Sequence, residues 1–326
     1  MKIGILGTGS IANTLAETMK QMEEVECYAV ASRDLKKAEA FAEKHGFSRA
    51  FGSYEELAED PQVELVYIAT PHSHHYENMK LCMERGKPVL CEKAFTMNSA
   101  QAKEIQRLSE RKHVMAAEAI WTRYMPSRRL IDEMIASGMI GKASMLTANL
   151  SYVICGVDRI LDPNLAGGAL LDVGVYPIHF ALMHFGDEIE KIESSVQFTE
   201  TGVDGMETIT IFYKGGRMAS LTAGIYGRSD RKGIIYGDKG YLIVENINNP
   251  KYIEVYDLED RLMKRVEVPP QISGYEYEIR ECIQTIEKGE INCPSIPLSD
   301  SIRVMEVADE LRLQWGLVYP GEKVKF

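Results

Sequence analysis

The sequence lacks several features that would assign it to a specialised class of protein. Its six cysteines are scattered and form no C-x-x-C pair, and its 37 lysine and arginine residues are outnumbered by 48 aspartate and glutamate residues. Scattered cysteines predict reduced thiols in a cytoplasmic protein rather than a disulfide framework. A net charge of −11 without a basic stretch argues against nucleic-acid binding.

Long apolar runs are also missing. No uninterrupted run approaches the roughly 20 residues of a membrane span, so we expect no contact with a membrane. The chain begins with what we predict to be its first strand, so we expect no signal peptide. With 326 residues, of which 45% are hydrophobic and 26% charged, the composition is that of a globular protein long enough for two domains.

The most informative segment is KIGILGTGSIA, Lys2 to Ala12. It predicts a buried strand, a tight turn and a helix that begins at once, with Gly7 for the turn and Ala12 small enough for close packing. Gly9 has no Cβ, so the backbone amides at the helix start are open to a pyrophosphate. The pattern G-x-G-x-x-A therefore predicts a dinucleotide site that includes Gly7, Thr8, Gly9, Ser10 and Ile11.

The end of the second predicted strand, Val25 to Ala31, bears on the choice of cofactor. In such folds an acidic side chain there binds the 2′-hydroxyl of NAD, whereas an arginine accommodates the 2′-phosphate of NADP. Ser32 and Arg33 come first and favour NADP, while Asp34 keeps NAD as the alternative. A competing interpretation makes Asp34 the cap of the next helix and Arg33 a solvated surface residue.

A third buried strand, Leu65 to Ala69, is followed by Thr70, Pro71 and His72. Ligands of open α/β sheets bind at this end of the strands. His72, His74 and His75 raise the possibility of a metal site, but no acidic or cysteine partner stands at a recurring spacing, so we predict none. We expect this segment to lie beneath the cofactor, with one histidine, His72 or His75 in our assignment, donating to a phosphate or ribose.

Strands and helices alternate up to residue 118. Pro88 to Cys91 is a further strand, and Val114 to Ala117 is the last. Glu92 and Lys93 follow the former, and we assign both to the cofactor site. This alternation predicts an α/β fold, a Rossmann doubly wound parallel sheet over residues 1–118. From 119 to 326 we predict an α+β domain for substrate binding and dimerisation. Its strands follow one another with short turns and predict a mainly antiparallel, open sheet.

Hydride transfer to a nicotinamide requires a group that moves a proton on the reacting oxygen. Lys93, at the end of a buried strand, is one candidate. The segment from Gly167 to His179 supplies others, because Asp172, Tyr176 and His179 stand at i, i+4 and i+7, on one face of a helix. Pro177 removes one helical hydrogen bond and is expected to kink this segment.

The motifs GTGSIA, ASRD, IATPHSHH, CEKA, WTRYMP and GGALLDVGVYPIH together resemble the glucose-fructose oxidoreductase / inositol dehydrogenase family over essentially the whole chain. They look most like the branch of dimeric dihydrodiol dehydrogenases and NADP-dependent D-xylose dehydrogenases. The resemblance implies a homodimer formed through the C-terminal sheet, with a tetramer as the alternative. It also implies that Lys93 and Tyr176 handle the proton and that Asp172 and His179 face the substrate. Ala94 stands where the family usually has Pro.

We therefore predict an NADP-dependent oxidoreductase acting on a secondary hydroxyl or carbonyl of a sugar, cyclic polyol or vicinal diol. Asp172, which supports the catalytic Lys93 and Tyr176, would bind the substrate together with His179, Arg123 and Trp121, and Tyr124 would add apolar surface. The alternative hypothesis is a cofactor-binding sensor or scaffold without catalysis.

Overall fold

The computed structural model describes residues 1–322 and divides into two compact units. The first unit contains Met1–Tyr124 and Gln271–Met305, and the second contains Met125–Pro270 and the chain from Glu306 onward. The sequence division at 118 places residues 271–305 in the second domain instead. They pack with the first unit because Tyr275 stacks on Trp121 at 4.3 Å and Arg280 Nε donates to Glu24 Oε1 at 2.6 Å. Residues 323–326, the end of the second predicted domain, lie outside the described residues.

The first unit is built from alternating strands and helices. They are β1 (Lys2–Leu6), α1 (Ser10–Met19), β2 (Glu26–Ala31), α2 (Leu35–His45), β3 (Arg49–Phe51), α3 (Tyr54–Glu59), β4 (Leu65–Ile68), α4 (His72–Glu84), β5 (Val89–Glu92), α5 (Ser99–Lys112) and β6 (Ala116–Ala119). A 3₁₀ turn, Trp121–Arg123, follows.

The six strands form one parallel sheet in the order β3-β2-β1-β4-β5-β6. This is the strand order of a dinucleotide-binding Rossmann fold, so the predicted fold of the N-terminal half is confirmed. β4 and β5 are buried along their whole length, because helices cover both faces of the sheet. The sequence analysis missed the three-residue β3 and the short α3, although Ser53 and Glu56 form a capping box at the start of α3.

Between residues 125 and 270 the second unit has three α-helices and eight strands. They are α6 (Pro126–Ala136), β7 (Ala143–Ser151), α7 (Asp158–Leu161), α8 (Val175–Phe185), β8 (Ile189–Phe198), β9 (Asp204–Tyr213), β10 (Arg217–Gly224), β11 (Gly233–Gly237), β12 (Gly240–Val244), β13 (Tyr252–Asp257) and β14 (Leu262–Glu267). A 3₁₀ turn, Pro163–Leu165, and a π-helix, Leu170–Gly174, precede α8. Two helices close the chain, α9 (Glu276–Glu287) and α10 (Leu298–Trp315).

The eight strands form one sheet in the order β14-β13-β12-β11-β7-β10-β9-β8. Every neighbouring pair is antiparallel except β7 and β10, which confirms the mainly antiparallel sheet. One face carries the core, where α8 and the π-helix pack on β7 and β10. Residues of the opposite face, such as Met206 and Thr208 of β9, are exposed.

By length and composition, the segment Pro163–Phe185 passes the test for a helix that could cross a membrane, although polar residues such as Asn164 and Asp172 interrupt its apolar run. However, 89% of its most apolar window is buried inside the protein, which is typical of a core helix. No other described helix passes the test.

Candidate active site

The turn from β1 to α1 forms an open cradle at the start of a helix. Gly7 has φ +104°, and a Cβ there would stand 2.7 Å from Ala69 O, so the position requires glycine. Gly9 has an extended φ of −74°, and a Cβ there would meet no heavy atom within 4 Å. The space beside Gly9, in front of the first amides of α1, therefore fits a pyrophosphate. Ala12 is fully buried, as close packing of helix and strand requires.

The end of β2 lies beside this cradle, because Gly7 N–H donates to Ala31 O at 2.9 Å. Asp34 caps α2 by accepting a hydrogen bond from Lys36 N–H at 3.0 Å, so its carboxylate is engaged in the cap. Ser32 is buried and accepts from Asp34 N–H, whereas Arg33 is exposed. Burial lowers the pKa of His74, and the charge of Arg33 lowers it further. Because Arg33 is exposed, its guanidinium is accessible to a 2′-phosphate.

The segment after β4 is held by hydrogen bonds of its own side chains. Asn78 donates to Thr70 Oγ1 at 3.0 Å, and Pro71 precedes the first residue of α4, the buried His72. Both ring nitrogens of His75 lie 2.8 Å from backbone carbonyls, Nδ1 from Ala94 O and Nε2 from Thr70 O. His75 is fully buried, and burial lowers its pKa to about 4. A neutral ring carries one N–H and donates to only one of these carbonyls, but both nitrogens face the backbone at the ends of β4 and β5. A hydrogen bond from His75 to the cofactor stays a prediction.

Glu92 and Lys93 stand at the end of β5, as predicted. Glu92 is buried and accepts a hydrogen bond from Tyr67 Oη. Burial, with the charges of Glu92 and Glu278 in support, raises the pKa of Tyr67 well above its ordinary value, so the phenol keeps its proton. The Lys93–Ala94 peptide bond is cis. Ala94 O lies 2.8 Å from His75 Nδ1, and Phe95 N–H donates to Glu118 Oε1 at 3.1 Å.

Two predicted substrate residues of the first unit are largely engaged within that unit. Arg123 is 3% exposed, and its Nη1 donates to Asp300 Oδ2 at 2.9 Å. The Trp121 ring is covered on one side by Tyr275, with 9° between the ring planes. Tyr124 Oη donates to Glu118 O at 2.9 Å. A direct contact of Arg123 or Trp121 with substrate stays a prediction.

The predicted residues of the second unit lie in the segment that joins the π-helix to α8. Asp172 is in the π-helix Leu170–Gly174, whereas Tyr176 and His179 are in α8. The single α-helical face predicted for these three residues is therefore corrected for Asp172, because π-helical bonds run from i to i+5. Pro177, which lacks an N–H, follows directly after this change of hydrogen-bond register. Single-turn π-helices are frequent at functional sites.

The carboxylate of Asp172 is buried and ion-paired. Arg159 Nη1 donates to Asp172 Oδ1 at 2.9 Å, and the exposed fractions of the two side chains are 47% and 7%. Tyr176 is half-buried, and His179 is fully buried in α8. Lys93 and Tyr176 belong to different units, and their cooperation stays a prediction.

Sequence analysis missed two residues that hold these segments. Asn13 donates to Gly9 O at 2.8 Å, and its Oδ1 accepts from Lys44 Nζ and His45 Nε2, which ties the cradle to α2. Its spacing, four residues after Gly9 on a helix, could have indicated this role. Arg159 lies in an irregular segment, and no pattern in the sequence pointed to it.

Within residues 1–322 no group of three or more histidine, cysteine, aspartate or glutamate residues is arranged to hold a metal ion.

Two family descriptions match the chain. Residues 1–119 match the oxidoreductase family with an NAD-binding Rossmann fold, and residues 129–243 match the GFO/IDH/MocA C-terminal domain. The chain is 34% identical to trans-1,2-dihydrobenzene-1,2-diol dehydrogenase of Mus musculus over 339 residues, which covers 99% of both proteins. It is 33% identical to the enzyme of the same name from Homo sapiens, again over 99% of both.

Solved structures share the fold at lower identity. KijD10, a 3-ketoreductase from Actinomadura kijaniata in complex with NADP and TDP-benzene, superposes with a TM-score of 0.89 at 24% identity and 96% coverage of this chain and 97% of that one. An aldose-aldose oxidoreductase from Caulobacter crescentus superposes with a TM-score of 0.87 at 18% identity, covering 98% of this chain and 99% of that one. Both likenesses support the two-part fold described above.

Proposed function

The chain belongs to the GFO/IDH/MocA family of NAD(P)-binding oxidoreductases, and from this premise we propose that it is an NADP-dependent dehydrogenase of cyclic vicinal diols, sugars or polyols. The similarity to two dihydrodiol dehydrogenases over 99% of the chain supports a diol or sugar substrate. The observation that carries the proposal is the open cradle at Gly9, which offers backbone amides where a dinucleotide needs them.

The choice of NADP over NAD depends on Arg33 and Asp34. Asp34 uses its carboxylate to cap α2, which leaves the exposed Arg33 to meet the phosphate that distinguishes NADP. Replacing Arg33 by Ser should raise the dissociation constant for NADP by about tenfold or more while changing that for NAD little. A titration of both cofactors measures this, and a wild-type preference for NAD would refute the assignment.

When bound, the nicotinamide accepts or supplies the hydride. We assign to Tyr176 the transfer of the proton to or from the reacting oxygen, and to Lys93 the stabilisation of negative charge on that oxygen. The carboxylate of Asp172, oriented by Arg159, supplies an acceptor for a substrate hydroxyl. Glu92 and His75 hold the chain on either side of Lys93, through Tyr67 Oη and Ala94 O respectively.

The test is a substrate panel of trans-diols, aldopyranoses and cyclic polyols with NADP⁺, followed by the absorbance of NADPH. Tyr176→Phe and Lys93→Met should each reduce kcat by about a hundredfold or more while the NADP dissociation constant stays near the wild-type value. Tyr277→Phe is the matched control, because Tyr277 of α9 is half-buried like Tyr176 and its hydroxyl makes no side-chain hydrogen bond within residues 1–322. Tight NADP binding without turnover of any panel member would favour the sensor or scaffold alternative.

We further propose that a second copy of the chain covers the outer face of the eight-stranded sheet. That face carries the exposed apolar side chain of Met206, at 45%, in the lining of a groove of about 490 Å³ over β8, β9 and β10. A molar mass measured by light scattering tests this, and Met206→Lys should shift the mass toward the monomer.

All six cysteines are free, which supports our proposal of a cytoplasmic location, testable by cell fractionation.

A further inference from the structure

Two acidic side chains of β9 are buried beneath the π-helix that carries Asp172. Asp204 is 0% exposed and Glu207 is 3% exposed. Residues three apart in a strand normally point to opposite faces. Here the register between β8 and β9 shifts, since Phe198 pairs with Asp204 and Gln197 with Met206, which leaves Gly205 as an extra residue. This bulge brings both carboxyl groups to the core face.

Each carboxyl group lies against one end of the π-helix. Leu170 N–H donates to Asp204 Oδ2 at 2.5 Å, which anchors the first residue of the π-helix. A Cβ on Gly168 would stand 2.1 Å from Asp204 Oδ1, and a Cβ on Gly174 would stand 2.3 Å from Glu207 Oε1. Both ends of the five-residue π-helix are therefore fitted to this pair of acids.

The two acids cannot both be satisfied as carboxylates. Among the residues that the structure describes, Asp204 Oδ1 and both oxygens of Glu207 have no hydrogen-bond donor. Two neighbouring buried carboxylates that lack a donor on three of their four oxygens would repel one another and lose the solvation they have in water. A single proton held between them joins two of these three oxygens in one hydrogen bond and removes one charge.

The groups around Asp204 and Glu207 also favour one proton on the pair. Burial raises the pKa of Glu207 well above its ordinary value, and the charge of Asp204 raises it further. Burial raises the pKa of Asp204 to about 6, against the opposing effects of the Leu170 N–H and the charge of Arg312. Arg312 on α10 is itself bonded to Glu322. Tyr319 also faces the pair, and burial raises the pKa of its phenol well above the ordinary value, while its Oη donates to Gly167 O at 3.1 Å.

We propose that Asp204 and Glu207 share one proton and act as positioning residues, fixing the π-helix that presents Asp172 and leads into Tyr176. The part of this inference that concerns turnover rests on the proposed function, because it needs Asp172 and Tyr176 to act on the substrate. The shared proton itself does not depend on that function. Neither acid is assigned a contact with substrate or cofactor.

The first experiment tests the shared proton without catalysis. It measures thermal unfolding of the wild type, Glu207→Gln and Glu200→Gln across neutral pH, where Glu200 is an exposed control on the turn between β8 and β9. In the folded wild type Glu207 holds a proton that the unfolded chain releases above its ordinary pKa of 4.5, so wild-type stability falls as pH rises from there. Gln donates without titrating. The midpoint of Glu207→Gln relative to wild type should therefore rise with pH, whereas that of Glu200→Gln should stay level. A level difference for Glu207→Gln would overturn the shared proton.

The second experiment tests positioning. Glu207→Gln keeps a donor toward Asp204, whereas Glu207→Met keeps the length but leaves Asp204 Oδ1 without a donor. With a diol substrate we expect Glu207→Gln to stay near wild type and Glu207→Met to lose about tenfold or more in kcat/KM, with the dissociation constant for NADP unchanged. Equal activity of the two variants would overturn the positioning role. If Glu207→Met does not fold while Glu207→Gln does, the need for a donor is supported directly. If no substrate is turned over, the proposed function fails, and the unfolding comparison still decides the shared proton.

Discussion

Replacing each of the two glycines of the β1–α1 turn by alanine should separate folding from cofactor binding. At Gly7 the backbone has φ +104°, and an added Cβ would stand 2.7 Å from the carbonyl oxygen of Ala69. At Gly9 the backbone is extended, and an added Cβ meets nothing within 4 Å. One methyl group thus enters occupied space, and the other enters the space that we assign to the pyrophosphate.

The magnitudes follow from these geometries. Gly7→Ala places an L-residue at positive φ, which costs about 1–2 kcal/mol before the clash with the backbone is added. Gly9→Ala should leave the free energy of unfolding unchanged or raise it by about 0.4–1 kcal/mol, because alanine restricts the unfolded chain. With NADP at a hundred times its dissociation constant, binding stabilises the wild type by about 2.7 kcal/mol. A variant that binds tenfold more weakly retains about 1.4 kcal/mol of this at the same concentration.

The assay is urea unfolding with and without NADP, combined with a fluorescence titration of the cofactor. We expect Gly7→Ala to be destabilised without the cofactor. Gly9→Ala should match the wild type without NADP and lose about half of the stabilisation with it. Wild-type affinity of Gly9→Ala for NADP would refute the placement of the pyrophosphate at this turn.

Further predictions concern single charged groups. Arg159→Met removes the donor that orients the buried Asp172, so kcat/KM should fall by about tenfold with little change in NADP affinity. Steady-state kinetics measures this, and an unchanged kcat/KM would contradict the assignment of Asp172 to substrate binding. Glu278 in α9 is fully buried, and neither of its oxygens has a donor within residues 1–322. Burial raises its pKa well above the ordinary 4.5, and the charge of Glu92 adds to this. The folded wild type therefore holds a proton that the unfolded chain releases, and its stability falls as pH rises above 4.5. Glu278→Gln should therefore gain on wild type by about 1 kcal/mol or more between weakly acidic and weakly alkaline pH, measured by urea unfolding, and an equal difference at both would contradict the buried neutral acid.

Much of the fold could be predicted from local patterns. A strand buried on both faces is a short apolar run, and a turn that requires positive φ selects glycine, so β1, β2, β4, β5 and the Gly7 turn were recognisable. The strands of the second sheet were recognisable because strand-like runs separated by glycine-containing turns follow one another along the chain. The three residues of β3 are too few to form a pattern, and the return of residues 271–305 to the first unit depends on contacts between segments far apart in sequence, such as Arg280 with Glu24.

The candidate site divides in the same way. The residues at strand ends and helix starts could be predicted from sequence alone, because the fold places the carboxyl ends of parallel strands at one edge. Contacts formed on folding established that both ring nitrogens of His75 lie against backbone carbonyls and that Asp34 is a cap. It alone revealed the π-helix, the Arg159–Asp172 ion pair and the buried acids of β9. Burial and partners distant in the chain set the charge and orientation of a side chain, and neither is encoded in local spacing.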